Sequence, residues 1–260
     1  MMKKLPLTLC AAMVCAGAFA QIDDDDELET EQSGVSFSAG GDVSSAYVWR
    51  GNLLVNGFNF QPYLEFYAGC LTLGMWNCTE ANGKLKEFDL YTSVTAGQVT
   101  FTLTDYFSQE DAGASDRPLY GDYHAHTTPH TFEFSVDWES NFGLDASMNL
   151  LFYGADKKWW LDEEDPDYEK NAYGTYFELG YTADVKSVAF RPCVGMVFNQ
   201  STWYGDGTGT HKGFNVVNIG VKASKDVKIT DHFSLPVYAV FGYNPQADDV
   251  AALVGISVGF

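Results

Sequence analysis

Phe132, Phe134, Val136 and Trp138 alternate with Glu133, Ser135, Asp137 and Glu139, so an extended chain here turns one apolar face and one charged face outward. The same period of two runs through Phe88, Leu90, Thr92 and Val94 against Asp89, Tyr91, Ser93 and Thr95. It recurs in Leu144, Ala146, Met148, Leu150 and Phe152, and in Val188, Phe190, Pro192, Val194, Met196 and Phe198 against Arg191, Cys193, Gly195 and Asn199. Segments of about ten residues with two such faces, separated by turn residues, are the pattern of strands that cross a bilayer. Beyond the N-terminal region no apolar run reaches the roughly 18 residues of a spanning helix. A bilayer offers no water to unpaired backbone groups, so a chain of this kind crosses only as a closed barrel. The expected fold class is all-β, a transmembrane antiparallel up-and-down β-barrel.

The alternation places strands over 35–50, 58–67, 69–78, 86–96, 98–107, 130–139, 143–153, 172–183, 187–200, 213–224, 232–243 and 250–260. About twelve strands result, with ten to fourteen still compatible. Tight connections then fall at one end and the long ones, 108–129, 154–171 and 201–212, at the other, as periplasmic turns and external loops do. Tyr47, Trp49, Phe58, Phe88, Phe107, Phe132, Phe152, Tyr173, Phe198 and Phe241 are expected in an outer aromatic girdle. Phe37, Phe66, Trp138, Tyr181, Phe233 and Phe260 are expected in the inner one. Two places resist. Asp105 shares parity with Phe101, Leu103 and Phe107, so it lies beyond the hydrocarbon band or a bulge shifts the register. Strand 213–224 fits two registers, with Phe214 on one face and Val217, Ile219 and Val221 on the other.

The N-terminus supplies the address. Lys3 and Lys4 precede an apolar run to Gly17, and Ala18-Phe19-Ala20 is an A-x-A cleavage site, so residues 1–20 are expected to be a cleaved signal peptide. Residues 21–34, with four consecutive aspartates, are expected to be an acidic, disordered periplasmic tether, and 35–260 the barrel. Loss of the two lysines takes the formal net charge from −20 to −22, which argues against nucleic-acid phosphate as a partner. Cys70, Cys78 and Cys193 are too few, and of the wrong spacing, for a disulfide module, and are expected as small residues of the wall with no bond between Cys70 and Cys78. The last strand, Ala252-x-Val254-x-Ile256-x-Val258-x-Phe260, resembles the terminal signal read by barrel-insertion machinery. Expected partners are therefore that machinery, outer-membrane lipid and small solutes, and the expected location is the cell outer membrane.

Ser44-Ser45-Ala46-Tyr47-Val48-Trp49-Arg50-Gly51, after Gly41-Asp42-Val43, resembles the opening strand of the Gcw-type (TorF-like) outer-membrane porins, and the segment 69–77, from Gly69 to Asn77, resembles the next segment of that family. The resemblance covers roughly 41–78 and implies a barrel of porin type. It brings no catalytic residues to carry over.

The residues themselves offer little catalytic chemistry. An outer-membrane lipid hydrolase needs a histidine with a serine or an acid near the rim. Among His124, His126, His130, His211 and His232 no serine follows at a hydrolase-like spacing, and neither G-x-S-x-G nor H-E-x-x-H occurs. No enzymatic activity and no cofactor are expected. His124-Ala125-His126, near Asp122 and His130, is a candidate metal pair, since alternate residues of an extended loop point the same way. The acidic run 161–167 lacks calcium-loop spacing, and the Gly-rich stretch 205–210 has no following helix.

What remains is inside. Asp42, Arg50, Glu65, Asp89, Glu133, Asp137, Glu139, Glu178 and Arg191 have inward parity and are the pore-lining candidates. The acids outnumber the arginines and cannot all pair, which favours a narrow aqueous channel over a packed plug of ion pairs. The expected function is a small porin for passive diffusion of cationic or neutral solutes. The alternative is a closed barrel that binds a partner through acidic external loops, with a lipid hydrolase third.

Overall fold

The computed structural model describes residues 35–109, 118–204 and 213–259. The expected signal peptide, tether, glycine-rich stretch 205–210, His211 and Phe260 lie outside the described residues.

The wall consists of β1 (Val35–Ser44), β4 (Asn59–Ala68), β5 (Leu71–Glu80), β6 (Lys86–Ala96), β7 (Val99–Gln109), β8 (His130–Glu139), β9 (Leu144–Gly154), β10 (Thr175–Tyr181) continued by β11 (Ala183–Val185), β12 (Val188–Val197), β13 (Asn215–Lys228), β14 (Ser234–Asn244) and β15 (Asp249–Gly259). Neighbours pair antiparallel in chain order. Pairing of β1 with β15, from Gly40↔Gly259 to Ser44↔Gly255, closes the ring. Because β10 and β11 are one stave on β12, the barrel has twelve staves, the expected number. Val35 and Gly259 lie at one end with the tight connections. The connections leaving β7, β9 and β12 lie at the other, here called the outer end.

Alternation sorts the side chains as the period of two requires. Leu64, Leu73, Leu90, Phe101, Phe134, Met148, Phe241 and Val254 stand exposed on the outside. An apolar belt of this extent is stable only against another apolar medium. Inward positions are tyrosines, serines, threonines and acids, and Tyr238 lies so close over Gly255 that a Cβ there would stand 2.3 Å from its ring.

The ambiguous strand 213–224 resolves into both registers. β12 and β13 are in step from Ala189↔Ser224 to Gly195↔Asn218, but Met196 faces Val216, leaving Val217 as the extra residue of a β-bulge. Val217 is therefore fully buried inside while Ile219 stands outside. Asp105 needs no bulge: β6 and β7 hold one register past it, from Glu87↔Ser108 to Ala96↔Val99, so it does face outward.

The main departure is at the first strand, expected to run to residue 50. β1 ends at Ser44, and the chain folds inward as a separate hairpin of β2 (Tyr47–Trp49) and β3 (Asn52–Val55). Ala46 to Trp49 is apolar at every position, so no wall stave could keep one of its faces in water. Inside the barrel both faces are buried. Tyr47, Trp49 and Val55 pack with Trp76, Tyr106, Tyr176 and Tyr204. Ala46, Val48 and Leu53 pack on Tyr238, Ala251 and Leu253 of β14 and β15. Tyr47 and Trp49 thus belong to a lumenal core and not to the outer girdle. Cys70 corrects another expectation, lying in the turn between β4 and β5. Cys78 and Cys193 sit on wall strands, and among the described residues none of the three forms a disulfide.

Candidate functional site

Arg50 and Gly51 form the two-residue turn of the inward hairpin, both at positive φ, 49° and 85°. That combination suits a type I′ hairpin turn, and it normally favours Asn-Gly over an arginine. The hairpin backs on β14 and β15, and its tip reaches the stave six places round the ring from β15. There Arg50 Nη2 donates to Glu133 Oε1 at 2.8 Å and to Asn149 Oδ1 at 2.7 Å, while Nη1 donates to the second oxygen of Glu133 and to the Tyr204 hydroxyl. Glu133 also accepts from the Tyr106 hydroxyl and Ser135 Oγ, each at 3.0 Å. The guanidinium lies 4.5 Å from the Trp49 ring centroid and 5.0 Å from that of Tyr176. Arg50 is a member of the expected inward set, but it arrives from a hairpin tip and not by strand parity.

A second ion cluster lies nearer the tight-turn end. Arg191 Nη2 bonds Asp145 and donates to Glu178 Oε1 at 2.8 Å, and Asn218 Nδ2 donates to the other Glu178 oxygen at 3.1 Å. Glu65 accepts from the Tyr91 hydroxyl at 2.6 Å and from Tyr67. Glu139 is part-exposed on the same inward face of β8 as Glu133 and Asp137. Against these stand Asp42, Glu87, Asp89 and Asp137, all buried, each with one carboxylate oxygen that has no hydrogen-bond partner among the described residues. No described lysine or arginine forms an ion pair with Glu87, Asp89 or Asp137.

Four participants escaped the sequence reading. Glu87 shares the parity of Asp89 and Asp145 that of Ser147, so both were visible in the alternation. Asn149 is uncharged, and Tyr204 lies in a loop with no period to mark it.

The outer end carries a different arrangement. Asp105 and His130 face outward, with His130 Nδ1 2.7 Å from Asp105 Oδ1 and Nε2 2.7 Å from the Tyr120 carbonyl oxygen. The imidazole is stacked on Tyr123 and flanked by Phe107, Tyr120 and Phe132, so the loop before β8 is clasped onto the outside of the wall. A histidine with an acid near the rim is half of a hydrolase site. Here the second ring nitrogen is engaged by a carbonyl, and no side-chain hydroxyl stands within hydrogen-bond reach of the ring among the described residues. His124 and His126, the metal candidates, are exposed; His126 Nδ1 lies 3.3 Å from Glu169, and among the described residues no group of three or more possible ligands converges. At the mouth Asp156 accepts the Gly174 N–H at 2.8 Å and bonds the Ser201 hydroxyl, joining two loops. Burial pushes its carboxyl above the ordinary range, against the pull of those donors.

Fold and site together define a closed, two-faced β-barrel with an ionic interior and an inward-folded hairpin. No protein-family model and no curated protein matches the sequence. Among solved structures the chain is similar to a KdgM porin, at TM-score 0.46 and 10% identity over 86% of this chain and 99% of that one. It is similar also to a KdgM porin in complex with disordered oligogalacturonate, at 0.42 and 8% over 86% and 95%. Against Pseudomonas aeruginosa OccK11 (OpdR) the values are 0.36 and 11% over 88% and 67%. The barrel assignment rests on the sheet's own closure and not on these likenesses.

Proposed function

We propose that the protein is an outer-membrane channel of porin type, passing small cationic or neutral solutes through an acidic lumen that the β2–β3 hairpin narrows. The observation that carries this is the set Asp42, Glu87, Asp89 and Asp137, whose inward carboxylates have oxygen atoms that no described protein donor meets. Buried carboxylates left so call for water, a mobile cation or a bound proton beside them. The A-x-A site of the N-terminus, the apolar exterior and the resemblance of Ser44 to Gly51 to the Gcw-type porins support the same reading. That motif runs from the end of β1 through β2 to the Arg50-Gly51 turn, the first half of the hairpin that in this reading narrows the lumen.

Single-channel conductance of refolded protein in planar bilayers tests it. Discrete, reproducible conductance steps are the expected result, and silent insertion would overturn it. The dense packing of Trp49, Trp76, Tyr106, Tyr176 and Tyr204 within the outer half favours a second reading, a closed barrel acting through its loops. Silent insertion would leave that reading in its place.

A further inference from the structure

Arg50 behaves in this structure as a ligand tethered to its own receptor. The receptor belongs to other elements: the Glu133 carboxylate on β8, Asn149 Oδ1 on β9, the face of Tyr176 on β10 and the Tyr204 hydroxyl from the loop after β12. Only Trp49 comes with the arginine, from the hairpin. Two nitrogens engage the two oxygens of one carboxylate, a third acceptor meets the same fork from the side, and an aromatic face covers the plane. That arrangement is specific for a planar, delocalised cation. An ammonium is a point charge and cannot meet two carboxylate oxygens and a lateral carbonyl along fixed directions. Glu133 and Asn149 are both fully buried, so this is a built site and not a surface encounter.

The tether stands outside the wall's hydrogen-bonded sheet. The hairpin's backbone pairs with no wall strand; β2 and β3 form a separate two-stranded sheet, tied to the wall by side chains such as Asn52, which donates to the Trp203 carbonyl at 2.9 Å and accepts from Asn244 of β14 at 3.0 Å. Arg50 is held at φ 49°, a conformation that disfavours a side chain unless the surroundings insist on it. We propose that the inner wall around Glu133 is a binding site for guanidinium-bearing solutes, and that Arg50 occupies it in the resting barrel as an intramolecular stand-in, to be displaced by such a solute in transit. Its consequence for transport rests on the channel reading above; the binding itself does not.

Arg50→Asn tests it without disturbing the turn, since Asn-Gly is the preferred type I′ pair. Refolding is checked by faster migration of unboiled protein. The probe is methylguanidinium chloride, followed by the fluorescence of refolded protein in micelles, because Trp49 lies beneath the guanidinium and Trp203 is 5.6 Å from Trp49. Saturable binding is expected in the Asn variant, about tenfold tighter than to the native protein and about tenfold tighter than methylammonium or potassium binds. Adding Glu133→Gln is expected to remove it. Equal response to all three cations, or survival of binding without the Glu133 charge, would overturn the site. Should Arg50→Asn fail to refold, Arg50→Gln carries the same comparison. In bilayers, conductance raised in Arg50→Asn and lowered again by methylguanidinium would support displacement during transit. Binding in micelles with no conductance from any variant would sink the channel reading, and with it the transit step, while leaving the site.

Discussion

The guanidinium of Arg50 and the carboxylate of Glu133 meet across the barrel in a two-point pair, although the hairpin that carries Arg50 backs on β14 and β15 and Glu133 hangs from β8, on the opposite side of the ring. Both are buried, so the pair is screened little by salt, and removal of one partner strands the other. Glu133→Gln is therefore expected to destabilise the folded barrel by about 3–5 kcal/mol. The double variant Arg50→Met, Glu133→Leu is expected to lie closer to the native protein than either single change, because both buried charges leave together. Urea midpoints of heat-modifiable gel migration measure this. Additive losses in the double variant would show that the pair is not coupled.

Gly51 touches the wall where no side chain fits. A Cβ there would stand 2.1 Å from the Val217 carbonyl oxygen, and its φ is +85°. Gly51→Ala should push the tip off β13 and carry Arg50 away from Glu133, at a loss of about 1–3 kcal/mol for the strained turn. Conductance and urea midpoint together check it. An alanine variant indistinguishable from native would mean that the hairpin is not seated on Val217 in the membrane.

Period two was enough to read the wall, because a stave with one face in lipid and one in the lumen must alternate. It failed where a segment is buried on both faces. Ala46 to Trp49 looked like the continuation of β1, yet Arg50-Gly51 between Tyr47-Val48-Trp49 and Asn52-Leu53-Leu54-Val55 was a hairpin signal in plain view. The double register around Val217 was a true record of a bulge, since each side of it obeys its own parity. Asp105 was flagged as anomalous by parity, and its partner could not be found that way: His130 reaches it from the neighbouring strand and is held in turn by the carbonyl of Tyr120, in a loop that alternation does not describe.

That clasp makes its own prediction. His130 is held between the Asp105 carboxylate and the Tyr120 carbonyl, both acceptors, under the rings of Tyr120 and Tyr123. Asp105→Ala removes one acceptor and leaves a buried ring nitrogen unmet, a loss of about 1–3 kcal/mol. The tyrosines should then be released from the wall, and chymotrypsin should cut the intact barrel at Tyr120 or Tyr123 faster than in the native protein. Unchanged cleavage kinetics would show that aromatic packing alone holds the loop.

Selectivity follows from which lumenal charges are spoken for. Glu133 is matched one to one by Arg50, so that pair contributes little net field along the axis, whereas Arg191 offsets only one charge of Asp145 and Glu178 together. Asp89 and Asp137 form no ion pair with any described lysine or arginine, and both are buried in the wall that a permeating ion would pass. Acidic groups on a confined, low-dielectric wall attract cations and repel anions. If the barrel conducts as proposed, it is therefore expected to prefer cations, and Asp89→Asn with Asp137→Asn to lower that preference more than removal of both members of the Arg50–Glu133 pair, which leaves the net charge unchanged. Screening acts over about 10 Å at 0.1 M salt, so the preference should also fall as salt rises. Reversal potentials across a potassium chloride gradient measure all three. Anion preference in the native protein would show that Arg50 and Arg191, and not the unpaired aspartates, set the field at the constriction.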